Sequence, residues 1–241
     1  MLEEEEFNFW PSFTDLMLSL VLILILILFL VTIILKAGSE NLEKVKENQK
    51  KISDAVAQAY NTIPQQNLDN EFVIYIDKTK NTKNSIIISN FPTLQKITFS
   101  ENILFDSNQS KLKCRGEETL RVLVKILKTQ LSLIQQIQIH GHTDTKGDRD
   151  FDETLNARDF NMRLGADRAI EVFYFLKDAG IDPNNKLMSI TSFGPYKPVG
   201  RDEDAQYNHK KIEEENIFPE QKNKNRRIEL LLFYSNKLEI K

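Results

Sequence analysis

An α+β architecture following one membrane-spanning helix is the fold class that the sequence predicts, and three observations predict it. From Leu16 to Leu35 only Ser19 and Thr32 interrupt an apolar run. About twenty residues is what a helix rising about 1.5 Å per residue needs to cross about 30 Å of hydrocarbon. From Ala37 to Ile63 the chain turns polar but keeps apolar residues at helical spacing, and Pro64 marks a stop. Beyond Pro64 short β-type runs alternate with amphipathic stretches, in the order strand, helix, strand, helix, strand, strand, as expected for helices packed on a mixed sheet.

The first segment is read as an uncleaved anchor. Signal peptides open on basic residues and carry a shorter apolar core, whereas Glu3 to Glu6 precede this one. Trp10 and Pro11 mark the interface and the first helical position. One carboxylate, Asp15, lies inside the first turns, where an ionised side chain costs about 2.5 kcal/mol or more unless water or a partner receives it. Two readings of Asp15 stay open. Either it favours the positive end of the helix dipole with its head in headgroup water, or it takes up an ion from one side and releases it to the other.

The connector follows. Leu42, Val45, Gln49, Ile52, Val56, Ala59 and Ile63 alternate in spacings of three and four, the seam of a short parallel coiled coil with Gln49 as its polar member. A single amphipathic helix lying on another subunit or on the membrane surface is the alternative. The expected boundaries are a tail at 1–10, a transmembrane helix at 11–36, a helical connector at 37–64, a β-hairpin linker region at 65–96, a domain at 97–235 and a tail at 236–241.

Within the soluble part, Phe72–Ile76 and Ser85–Ser89 read as strands around a Lys/Asn/Thr-rich turn. Ile97–Phe99 and Ile103–Phe105 open the next unit, and Asn108–Lys128 reads as a helix. Ile137–His140 is a strand, Thr154–Ala179 contains a long helix ending at Gly180, and Leu187–Phe193 and Arg227–Phe233 are strands. The charged segment Arg201–Lys224 reads as a solvated loop or short helix.

Composition excludes several classes of function. A net charge of -3 with scattered lysines gives no nucleic-acid surface. The single cysteine, Cys114, permits no intrachain disulfide and reads as a buried small hydrophobe. No Ser/His/Asp or Cys/His arrangement and no phosphate-cradling glycine loop occurs, so no catalytic residue is assigned and no enzyme is expected. His140 and His142 alternate on one strand face with Asp144 beside them, but nothing elsewhere in the chain supplies a closed metal shell. Asp148, Asp150 and Asp152 start like a calcium loop, yet Leu155 and Asp159 stand where Glu is wanted and no central Gly follows. No metal and no cofactor is expected.

The motifs carry a family resemblance. Phe105-Asp106-Ser107-Asn108-Gln109-Ser110-Lys111-Leu112, then Gly141-His142-Thr143-Asp144, then Asn161-Met162-Arg163-Leu164 running into Arg168-Ala169, then Phe193-Gly194 with Pro198, then Asn225-Arg226-Arg227-Ile228 resemble the OmpA-like peptidoglycan-binding domain in its family order. The resemblance implies that Asp144 and Arg168 bind a stem peptide, with Thr143, Asn161 and Arg227 as accompanying binding residues. A diamino acid offers an ammonium and carboxylates, which one acid and one guanidinium would receive. The open alternative is that Asp144 caps a turn and Arg168 pairs with a nearby acid on the surface. Gly165 stands where the family usually has Ser, and the stretch between Asp144 and Asn161 is longer than the family's loop.

Together with the preceding span, Phe9-Trp10-Pro11-Ser12-Phe13-Thr14-Asp15-Leu16-Met17 resembles the B subunits of MotB-type stators, in wording nearer to those of Zorya anti-phage systems than to the flagellar ones. That resemblance implies an ion-driven motor subunit with Asp15 as carrier of H⁺ or Na⁺, a homodimer, a polytopic A-subunit partner of the MotA or ZorA kind, and attachment to peptidoglycan. It also implies a bacterial inner-membrane protein with a cytoplasmic N-terminus and a periplasmic C-terminal domain. The lysine bias points the other way, since Lys36, Lys44, Lys46, Lys50 and Lys51 all follow the span. A flagellar-type stator subunit and a passive cell-wall tether are the alternatives.

Overall fold

The computed structural model describes residues 10–68, 70–76, 84–147, 159–201 and 207–235. The acidic run from Asp148 to Glu153, the start of the expected helix at Thr154, and the two expected tails except Trp10 lie outside these residues. The described residues form two compact units, divided between residues 44 and 45.

Helix α1 (Trp10–Ala59) is continuous through the expected boundary at 36. Gly38, inside it, has open space around it. The apolar run lies in the first unit with its large side chains exposed, and α1 is long and apolar enough there to cross a membrane. The hydroxyls of Thr14, Ser19 and Thr32 donate to the carbonyls of Pro11, Leu16 and Phe29 at 2.9, 2.8 and 2.7 Å, so these polar atoms are satisfied within the helix itself.

The helix ends before Pro64, where the sequence placed its stop. Asn61 adopts φ 50°, Thr62 N–H donates to Ala57 at 3.0 Å, and Asn61 N–H donates to Gln58 at 3.0 Å. This paired closure around a left-handed residue satisfies the last carbonyls, so no proline is needed.

In the second unit, Val45, Gln49, Ile52 and Val56 of the face read as a coiled-coil seam are buried within the chain's own core, while Ala59 and Ile63 of that face are exposed. Val45, Ile52 and Val56 belong to the hydrophobic cluster. Gln49 donates to Phe91 O at 2.8 Å, and Gln95 donates back to Gln49 O at 2.9 Å while accepting from Tyr234 Oη at 3.0 Å. The polar position is thus a staple between helix and sheet.

Seven strands form one mixed sheet, in the order β1-β2-β3-β4-β7-β5-β6. The strands are β1 (Gln65–Leu68), β2 (Glu71–Tyr75), β3 (Ser85–Asn90), β4 (Leu94–Ser100), β5 (Ile134–His142), β6 (Leu187–Gly194) and β7 (Arg227–Tyr234). Residues 65–96, expected as a hairpin linker region, supply three whole strands and part of a fourth. They extend the sheet through antiparallel pairing from β4 outward. Among the described strands only β5 and β6 pair in parallel, joined by a helical crossover as parallel neighbours require.

Alternation sets the two faces. Ile97, Phe99, Ile137, Ile139, Ile228 and Leu230 enter the core shared with α3 (Cys114–Lys128) and α4 (Phe160–Asp178). On the other face Thr98, Glu229 and His140 stand in one row across β4, β7 and β5.

Two local readings change, the start of the helix expected from Asn108 and the burial of Cys114. Ile103–Phe105, expected to open the next unit with Ile97–Phe99, falls mostly in the short helix α2 (Glu101–Leu104), with Phe105 bridging to Leu112. The helix expected from Asn108 begins only at Cys114, because Asn108 takes φ 58° and the intervening loop closes back on α2 through Lys113 N–H to Leu104 O at 3.0 Å. Cys114 is a free, exposed thiol at the helix start. In the charged segment, α5 (His209–Glu214) and α6 (Pro219–Asn225) are two short helices.

Candidate functional site

The end of β5 delivers Thr143 and Asp144 to a point where α2, α4 and the start of β7 converge. Glycines make this possible. A Cβ on Gly141 would stand 2.0 Å from Gly165 O, and one on Gly165 would stand 2.6 Å from Ser192 Oγ. The α4 backbone therefore lies directly on the sheet. Gly165, which intrinsic propensity alone marks as a weak point, is required by this close approach. Ser192 Oγ donates to Met162 O at 2.7 Å and holds β6 to the same turn of α4.

Four charged side chains alternate in sign across the convergence. Arg168 Nη2 is 2.7 Å from Glu101 Oε1, Arg226 Nε is 3.0 Å from Glu101 Oε2, and Arg226 Nη1 is 2.9 Å from Asp144 Oδ2. Arg168 is 2% exposed and Asp144 3%. Arg168 is oriented further by Nε donating to Gln109 O at 2.9 Å and by its guanidinium lying 5.2 Å from the Phe105 ring centre. A buried guanidinium left unpaired would be strongly destabilising, so Glu101 is the counter-charge that keeps Arg168 in place. Asp144 Oδ1 accepts from Lys146 N at 3.2 Å, and Asn161 Nδ2 donates to Lys146 O at 2.9 Å, fixing the turn after the acid.

The sequence-predicted residues separate here. Asp144 and Thr143 just after β5, Asn161 at the start of α4 and Arg168 midway along α4 are all buried. Asp144 and Arg168 are linked through Glu101 and Arg226, and each has a partner of opposite charge. Asp144 does serve a turn, but Arg168 pairs with Glu101 in the interior and not with an acid on the surface. Arg227 stands elsewhere. It is the neighbouring Arg226 that reaches Asp144, while Arg227 Nε donates to Glu229 Oε1 at 2.7 Å on the sheet's other face. Sequence reasoning missed Glu101 and Arg226. Arg226 was legible as half of the Arg226-Arg227 pair, whereas nothing local marks Glu101.

On that other face, His142 is buried with Nε2 3.3 Å from Glu229 Oε2. Burial lowers the His142 pKa from 6.5 to about 4, against the opposing pull of Glu229, so the ring is neutral at pH 7. Burial alone would raise the Glu229 pKa, but the His142 contact and the Arg227 charge outweigh it and hold the carboxyl below its ordinary range. The Phe193 ring stacks on His142 at 5.1 Å and meets His140 edge-on at 5.2 Å.

Residues 104–211 match the OmpA family. A peptidoglycan-associated lipoprotein of Buchnera aphidicola subsp. Baizongia pistaciae is 28% identical over 140 residues, covering 58% of this chain and 73% of that protein. Among solved structures, a MotB-like protein from Desulfovibrio vulgaris matches with a TM-score of 0.55 at 17% identity, over 80% of this chain and 99% of that one. The periplasmic domain of Helicobacter pylori MotB matches with a TM-score of 0.52 at 18% identity, over 71% of this chain and 91% of that one. At these identities the structural likeness is one of fold. The chain thus carries an OmpA-like domain built on a mixed sheet, together with a long apolar N-terminal helix.

Proposed function

We propose that this chain is the wall-anchored B subunit of an ion-driven motor in the bacterial inner membrane, of the kind found in Zorya anti-phage complexes. The observation that carries the reading is the union in one chain of an apolar helix bearing a lone carboxylate, Asp15, with an OmpA-like domain holding Asp144 and Arg168 in one charge chain. The named relatives include a peptidoglycan-associated lipoprotein and MotB proteins, which supports wall binding and a stator role here.

The domain holds peptidoglycan outside the membrane, and two copies cross it among polytopic A subunits. In the wall site the ammonium of a diamino acid replaces Arg226 at Asp144, and the released guanidinium, beside Arg168, receives carboxylate. In the membrane, Asp15 takes up H⁺ or Na⁺ from one side, its lost charge changes which A-subunit contacts are favoured, and release on the other side resets them. Each charge crossing supplies about 2.3 kcal/mol per 100 mV.

Ion flux in cells co-expressing a polytopic A subunit tests the motor. Flux should be present with wild type and lost in Asp15→Asn, with membrane insertion unchanged. Equal flux in the two defeats the carrier role, and absence of flux with the A subunit bound makes the protein a passive tether. Pull-down with purified sacculi tests the wall site separately. Asp144→Ala and Arg168→Ala should each lose binding, and retention equal to wild type in folded variants removes that assignment.

A further inference from the structure

We propose that His140, His142 and Glu229 form a binding site for a late first-row divalent cation of the zinc class, on the sheet face opposite the helical core. The inference does not rest on wall binding or on the motor. One donor atom from each residue lies within 4.8 Å of the other two, and all three residues are buried. His140 and His142 are two apart on β5, and Glu229 is the registered partner of His140 on β7, so pairing across the sheet supplies the third ligand.

Geometry and chemistry select the metal. Bonds of about 2.0–2.1 Å at tetrahedral angles put ligand atoms about 3.4 Å apart. His142 Nε2 and Glu229 Oε2 already stand 3.3 Å apart, so a small movement of the His140 ring closes the set. Neither ring nitrogen of the buried His142 has a hydrogen-bond partner among the described residues, so Nε2, beside Glu229 Oε2, is open to a ligand.

Surrounding groups orient the ligands. Arg227 holds Glu229 Oε1 at 2.7 Å and leaves Oε2 facing His142, Gln138 Oε1 lies 3.1 Å from His140 Nε2, and Phe193 packs against both rings. The charges of Arg227, Lys96 and Lys197 also bear on His140 and oppose any cation. With a single carboxylate shared with Arg227, the site cannot satisfy calcium or magnesium, which need several oxygen ligands. Two imidazoles and one carboxylate suit zinc, nickel or copper, with a fourth position left for water.

The test uses the full-length, untagged protein in detergent, freed of metal with a chelator and titrated with Zn²⁺ by calorimetry and with Co²⁺ by visible absorption. The expected result is one metal per chain, a tetrahedral Co²⁺ spectrum, and affinity reduced more than about tenfold in His140→Gln and in Glu229→Gln. His140→Gln decides the matter if Glu229→Gln fails to fold, since His140 lies at the rim of the cluster. No stoichiometric binding, or binding unchanged in a folded His140→Gln protein, overturns the proposal.

Discussion

Arg226 and Arg227 are adjacent, yet the extended chain points them to opposite sides of the sheet. One joins Asp144 and Glu101, and the other joins Glu229. The Arg227 side carries a titration consequence. Because His142 has its pKa lowered to about 4 in the folded protein, the unfolded chain binds more protons below the ordinary 6.5. Stability from this residue is therefore full above about pH 6.5 and is lost as pH falls toward 4, at up to about 1.4 kcal/mol per pH unit. Glu229, also lowered, adds a loss in the same direction once pH falls below its ordinary 4.5. Denaturant unfolding across pH 7 to 4 should show this decline, and His142→Gln should flatten its upper part. An unchanged slope in that variant would assign the decline to other groups.

At the scale of elements, α1 contributes in two different ways along its length. Its apolar run is exposed throughout, while Val45, Ile52 and Val56 are buried in the core. Ile52→Ala should therefore cost about 2–5 kcal/mol of the second unit's stability, as for other fully buried large-to-small changes. Leu42→Ala, at a position 41% exposed, should cost far less. Chemical unfolding of the two variants side by side measures the difference, and equal costs would mean that the helix does not pack as described. Pairing of two copies, which the stator reading requires, has to come from surfaces other than this buried face. The contact between Gly141 and Gly165 is a second element-level constraint, since it sets how closely α4 can deliver Arg168 to the end of β5.

At the scale of the whole molecule, the division at residue 44 makes a prediction about autonomy. Residues 45–235 contain the complete sheet and core, so a variant lacking residues 1–44 should fold as a soluble protein and still bind sacculi. Circular dichroism and sacculus pull-down check this. Failure to fold would mean that the first unit contributes to the core. Wall binding retained without the apolar helix, alongside ion flux lost in Asp15→Asn, would separate anchoring from energy conversion within one chain.

The apolar run, the period change after Pro64 and the ordered motifs around Asp144 and Arg168 were all legible in the sequence. Each is a local pattern, and local patterns reflect the solvent or secondary structure that a short stretch must meet. The partners were not legible. Glu101 meets Arg168 across 67 positions of chain, Glu229 meets His142 only through the β5–β7 register, and the face of α1 read as a seam met the chain's own sheet. Apolar spacing states that a face must be buried but does not name what buries it, and a charged residue does not carry its counter-charge in its own neighbourhood. Those choices were made only when tertiary packing brought distant strands and helices together.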